Sequence, residues 1–128
     1  AYPDRVHKLM LIFPAFVLFD DVQETYRQLG SPELDQLPDS MTHHNVTLGK
    51  IYLIDALDID IQAEQAKITA PTLIIHGTDD AVVPYQYAVQ ASKTIPNTEL
   101  VTVEGGEHRI DERFAITAAP AIQKFLKE

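Results

Sequence analysis

The run Thr72-Leu73-Ile74-Ile75-His76-Gly77 constrains this chain most. Its apolar part is short and has no polar face, which suits a strand buried on both sides, as strands of parallel sheets are. Gly77 breaks the run, and Thr78-Asp79-Asp80 follows at once, placing two carboxylates in the turn. Val82-Val83 comes next, and Pro84 can open a helix at its first turn. In open parallel sheets, chemistry sits at the carboxyl edge of the strands. The stretch therefore predicts an acid at that edge.

His108 stands 28 residues after Asp80, in Gly105-Gly106-Glu107-His108, behind a second strand-like run, Leu100-Val101-Thr102-Val103. An acid and an imidazole thus leave the same end of neighbouring strands, as in the second half of a Ser…Asp…His triad. Asp80 read alone is a turn carboxylate satisfying backbone N–H groups. With His-Gly before it and Val-Pro after it, it reads as a triad acid, and Asp79 as a turn-capping neighbour. His108 reads as a general base, and His76, nearer the strand core, as a hydrogen-bonded buried histidine. Ser31, Ser40 and Ser92 lie in no G-x-S-x-G setting. The nucleophile is therefore expected outside this chain.

Around this centre the chain alternates. Val6 to Phe13 holds a strand-length apolar run stopped by Pro14-Ala15. Asp20 to Leu29 has helical spacing and ends at Gly30. Ser31 to Gly49 is polar and irregular. Ile51 to Leu57 and Ile59 to Ile68 read as short helices. Pro84 to Ile95 is amphipathic, with Ala88 and Ala91 small enough to pack on a sheet. Asp111 to Leu126 is amphipathic too, with a kink or break expected at Pro120. The pattern predicts an α/β fold of about three parallel strands with crossover helices, whose first strand is too apolar for a free edge.

The net charge of −9 disfavours nucleic-acid partners. No apolar run is long enough to span a bilayer and no signal peptide is visible, so a cytoplasmic protein without membrane contact is expected. The absence of cysteine excludes disulfides and thiolate metal sites. His43-His44 lacks a partner at ligand spacing, and Asp55, Asp58, Asp60 and Glu64 read as a solvated face, so no metal is expected.

His76-Gly77-x-x-Asp80-x-x-Val83-Pro84 resembles the acid-turn motif of α/β-hydrolases, and Gly105-x-x-His108 resembles their histidine loop. Tyr2-Pro3-Asp4-Arg5-Val6-x-Lys8-Leu9 is similar to the family segment that follows the nucleophile helix. The resemblance covers residues 1–128 but only the C-terminal half of the family fold. It implies that the nucleophile elbow and oxyanion loop lie upstream of Ala1. Leu37-Pro38-Asp39 with Thr47-Leu48-Gly49-Lys50-x-Tyr52-Leu53-x-Asp55-Ala56 resembles the lid insertion of cinnamoyl (feruloyl) esterase-like hydrolases. A lid-like helical insertion over residues 16–69 is implied, with Asp39 and Tyr52 as candidate substrate-wall residues.

By this resemblance the chain is part of a serine carboxylesterase that needs no cofactor and acts on a small-molecule ester once completed by an upstream segment. The alternative is a non-catalytic α/β module that self-associates through its open sheet edge.

Overall fold

The computed structural model describes residues 5–43 and 46–128. The Tyr2-Pro3-Asp4 part of the opening motif, the His43 side chain, His44 and Asn45 lie outside this description. The elements in order are β1 (Leu9–Ile12), α1 (Val17–Gln28), β2 (Ser40–His43), β3 (Val46–Gly49), α2 (Lys50–Leu57), α3 (Ile61–Ala66), β4 (Thr72–Gly77), α4 (Gln86–Thr94), β5 (Thr98–Val103) and α5 (Glu112–Lys127). They divide into two compact units. One comprises the described residues up to Phe16 together with Gln62–Glu128, the other Val17–Ile61.

In the first unit, β1, β4 and β5 form a parallel sheet in the order β1-β4-β5. The most apolar run takes the centre, and every residue of β4 is buried. Strand alternation divides its side chains between two helices. Leu73 and Ile75 pack with Phe114, Ala118 and Phe125 of α5. Ile74 packs with Ala88 and Ala91 of α4 and with Ile95. Each of these large side chains contributes roughly 1.5–3 kcal/mol by leaving water. Ala88 and Ala91 are fully buried, as close helix-on-sheet packing requires.

Helix α5 runs unbroken through Pro120, where the sequence leads one to expect a kink or break. Pro120 is exposed, so the carbonyl it deprives of a partner can turn to water. Asp111 caps the start of α5, accepting from Phe114 N–H at 2.9 Å. That hydrogen bond, above all, holds the Asp111 carboxyl below its ordinary pKa.

The second unit is more than the helices its sequence suggests. The stretch read as irregular contains an antiparallel hairpin, β2 with β3, pairing Met41 with Leu48 and Thr42 with Thr47. Helix α1 ends at Gln28, and Gly30 just beyond it, with φ of +85°, supplies the left-handed turn that closes it. Val22, Leu37, Leu53 and Ala56 form this unit's own core. Asp55, Asp58, Asp60 and Glu64 are all exposed. Among the described residues no helix is long and apolar enough to cross a membrane.

Candidate active site

Two glycines bring the loops after β4 and β5 together. A Cβ on Gly77 would lie 2.1 Å from the Gly106 carbonyl oxygen, so only glycine permits this approach. Thr78 N–H donates to Val103 O at 3.1 Å and Asp79 N–H to Gly106 O at 2.9 Å. Gly105 N–H donates to the Thr78 hydroxyl at 2.8 Å. Residue 80 and residue 108 therefore emerge from one laced pair of loops at the carboxyl edge of the sheet.

The two oxygens of Asp80 have different partners. Oδ1 accepts from Val82 N–H at 2.9 Å and Val83 N–H at 2.8 Å. This is the turn-stabilising role any Asp could take. Oδ2 faces His108 Nδ1 at 2.8 Å. The Asp80 side chain is fully buried, while that of His108 is 36% exposed. Burial is the largest single influence on this carboxyl and acts to raise its pKa. The hydrogen bonds from Val83, His108 and Val82 together outweigh it and hold Asp80 below its ordinary value. An ionised, buried carboxylate bonded to Nδ1 fixes the tautomer with hydrogen on Nδ1 and leaves Nε2 to exchange a proton.

The surroundings of the pair contain two residues the sequence did not single out for a role there. His76, read as a buried, hydrogen-bonded histidine, is fully buried and points Nε2 at Val83 O, 2.8 Å away. The same Nε2 lies 3.2 Å from Asp80 Oδ2. Both atoms facing it are acceptors, so Nε2 carries the hydrogen, and Nδ1 is buried without a partner among the described residues. Phe13, just past β1, has its ring 5.0 Å from the His108 ring and 4.9 Å from that of Phe114. Phe13 carries no recognisable motif, because its place depends on which strands become neighbours. His76, although it opens the acid-turn motif, gains its contacts to Val83 O and Asp80 only when that turn folds. Asp79 is exposed and accepts from the Thr78 hydroxyl at 3.1 Å. The hydroxyl of Ser92 donates to Val89 O within its own helix. Among the described residues no cluster of three or more His, Asp or Glu could hold a metal ion.

The Val17–Ile61 unit holds a cavity of ≈ 260 Å³. Val22, Met41, Leu48 and Leu53 make it apolar, while Tyr52 and Asp21 add polar groups to its lining. Asp39 is not part of this lining. Its carboxylate is 95% exposed and pairs with Lys50 at 3.0 Å.

A family profile described as TAP-like protein matches residues 57–128. The AB hydrolase superfamily protein YisY from Bacillus subtilis is 33% identical over 92 residues, 71% of this chain and 34% of that protein. RutD from Stutzerimonas stutzeri, provisionally named a carbamate hydrolase, is 36% identical over 70 residues, 54% of this chain and 26% of that protein. Among solved structures, Est1E from Butyrivibrio proteoclasticus matches with a TM-score of 0.79 at 27% identity, covering 98% of this chain and 54% of that one. A further structure has ferulic acid bound to Est1E. The chain thus spans about half the length of Est1E and between a quarter and a third of these curated relatives.

Proposed function

Because this chain belongs to the α/β-hydrolases, in the family described as TAP-like protein, we propose that Asp80 and His108 are the acid and base of a serine ester hydrolase. The observation that carries this reading is the 2.8 Å hydrogen bond between a buried carboxylate and His108 Nδ1. In the proposed reaction a serine hydroxyl supplied from outside this chain gives its proton to His108 Nε2. The serine oxygen attacks the ester carbonyl, and the imidazolium returns the proton to the departing alkoxide. Water then repeats the sequence on the acyl-enzyme. Asp80 stays ionised throughout, holding the tautomer and balancing the imidazolium charge. None of these steps calls for a cofactor.

By resemblance to the cinnamoyl esterase lid, the Val17–Ile61 unit is the part that selects the substrate. The apolar cavity with Tyr52 in its lining supports an aromatic acyl group, and the bound ferulic acid of Est1E points the same way. Asp39 enters this reading as an exposed polar group beside Lys50.

The test is hydrolysis of an aryl ester by the purified chain and by the chain joined to a segment bearing G-x-S-x-G. The chain alone should show negligible turnover, since base and acid without nucleophile and oxyanion donors lack the larger catalytic contributions. The joined protein should turn over and lose activity with His108→Ala. Robust turnover by the chain alone, abolished by His108→Ala, would mean that a nucleophile within it had been missed.

The second reading, a self-associating module, draws on the outer edge of β1, which pairs only with β4 among the described residues. Such an edge offers unpaired backbone groups to another strand. A concentration-independent monomer in sedimentation would count against this reading.

A further inference from the structure

Phe13 is out of step with the strand it ends. In β1, Met10 packs with the α5-side cluster and Leu11 with the α4-side cluster, as alternation requires. Continued alternation would send residue 13 to the α4 side with Leu11. Phe13 packs instead on the α5 side. Its backbone explains how: φ is +46°, the left-handed region, which a bulky residue rarely enters. Pro14 follows directly and favours extended backbone at the residue before it, adding to the unfavourable choice. The sheet still holds this residue, since Phe13 N–H donates to Ile75 O at 3.1 Å.

The strained backbone therefore turns the ring to the other face, and that face is where His108 lies. The two rings are 5.0 Å apart at 46°. Phe13 also meets His76 edge-on at 6.1 Å and Phe114 at 4.9 Å. These separations fall in the favourable range for aromatic pairs. One ring thus touches both imidazoles that face Asp80, and Phe114 backs it from α5. Strain of this kind persists only where the surroundings over-determine it, and it concentrates at functional sites.

We propose that Phe13 is a positioning residue for His108: its left-handed backbone sets the ring against the imidazole, holding Nδ1 on Asp80 and keeping water off that hydrogen bond. The proposal rests on the reading of His108 as the base.

The test is NMR of the 128-residue chain with isotope-labelled histidine. The wild type should show an exchange-protected Nδ1–H resonance for His108 that Asp80→Asn removes, and nuclear Overhauser contacts between the Phe13 and His108 rings. Phe13→Leu, close in volume, should keep the folded spectrum but exchange that hydrogen at least about tenfold faster. Phe13→Tyr should restore protection. Phe13→Gly should have a higher urea midpoint than Phe13→Ala, reversing the usual order, because glycine alone is at ease with the positive φ. Absent ring contacts in the wild type, or wild-type exchange in folded Phe13→Leu, would overturn the role of Phe13 while leaving the triad assignment standing. Survival of the protected hydrogen in Asp80→Asn would instead overturn the Asp80–His108 pair itself.

Discussion

Replacing Asp80 by Asn probes the centre of the site without changing its shape. The amide oxygen can take the place of Oδ1 and keep the bonds from Val82 and Val83 N–H, at 2.9 and 2.8 Å. The amide nitrogen then stands where Oδ2 was, 2.8 Å from His108 Nδ1 and 3.2 Å from His76 Nε2. Two donors now face a donor. His108 can escape by moving its hydrogen to Nε2, but buried His76 has no such freedom while it serves Val83 O. The loss is one charge-assisted hydrogen bond at roughly 1.5–3 kcal/mol, plus the misplaced donors at roughly 1–3 kcal/mol. Relief from burying a charge offsets part of this, leaving about 2–4 kcal/mol. At the usual urea dependence for small proteins, the midpoint should fall by about 1–2 M at pH 7.

The pH dependence carries the sign. Asp80 is held below its ordinary value when folded, so its contribution is complete above the unfolded value of about 3.9 and is lost as pH falls through the lower folded value. The gap between wild type and Asp80→Asn should therefore close in strong acid. Urea unfolding followed by circular dichroism, at neutral pH and near pH 2, measures it. A gap below about 0.5 kcal/mol at neutral pH, or one unchanged in acid, would refute an ionised, hydrogen-bonded Asp80.

In the protein completed with a nucleophile, Asp80→Asn should lower kcat by roughly 10⁴-fold, because the imidazole then holds the wrong tautomer; a small change would detach Asp80 from catalysis. Gly77→Ala should destabilise by about 3 kcal/mol, since its Cβ would sit 2.1 Å from the Gly106 carbonyl oxygen, whereas Gly30→Ala, with nothing within 4 Å, meets only the cost of its positive φ, about 1 kcal/mol. Comparative chemical denaturation separates these two. Leu53→Ala, at a residue 2% exposed in the core of the Val17–Ile61 unit, should cost about 3 kcal/mol, read by hydrogen exchange in that unit. With a phenolic ester, Tyr52→Ala should raise KM, while Asp39→Ala, whose carboxylate is 95% exposed, should change it little; equal effects would argue against the cavity as the aromatic site.

Local pattern was enough for the parallel strands and for α4 with its buried alanines, and the resemblance to two short motifs was enough to single out Asp80 and His108, whose hydrogen bond the folded chain then makes. Each is written in a short window: an unbroken apolar run, a helical period, or a glycine turn with a charged group behind it. The hairpin of β2 and β3 escaped, because each strand is only four residues long, so the alternation of Met41 and Leu48 with polar neighbours is too brief to stand out in a polar stretch. The continuity of α5 through Pro120 depends on that residue facing solvent, which the proline cannot announce. The Gly77–Gly106 contact, the placement of His76 Nε2 between Val83 O and Asp80, and the reversal of Phe13 onto the α5 face belong to the folded chain alone. The Gly77–Gly106 contact and the reversal of Phe13 join segments far apart in sequence and are enforced by neighbours that exist only once β1, β4 and β5 lie side by side, whereas the His76 placement is local to the turn after β4 and is set by how that turn folds back on the strand.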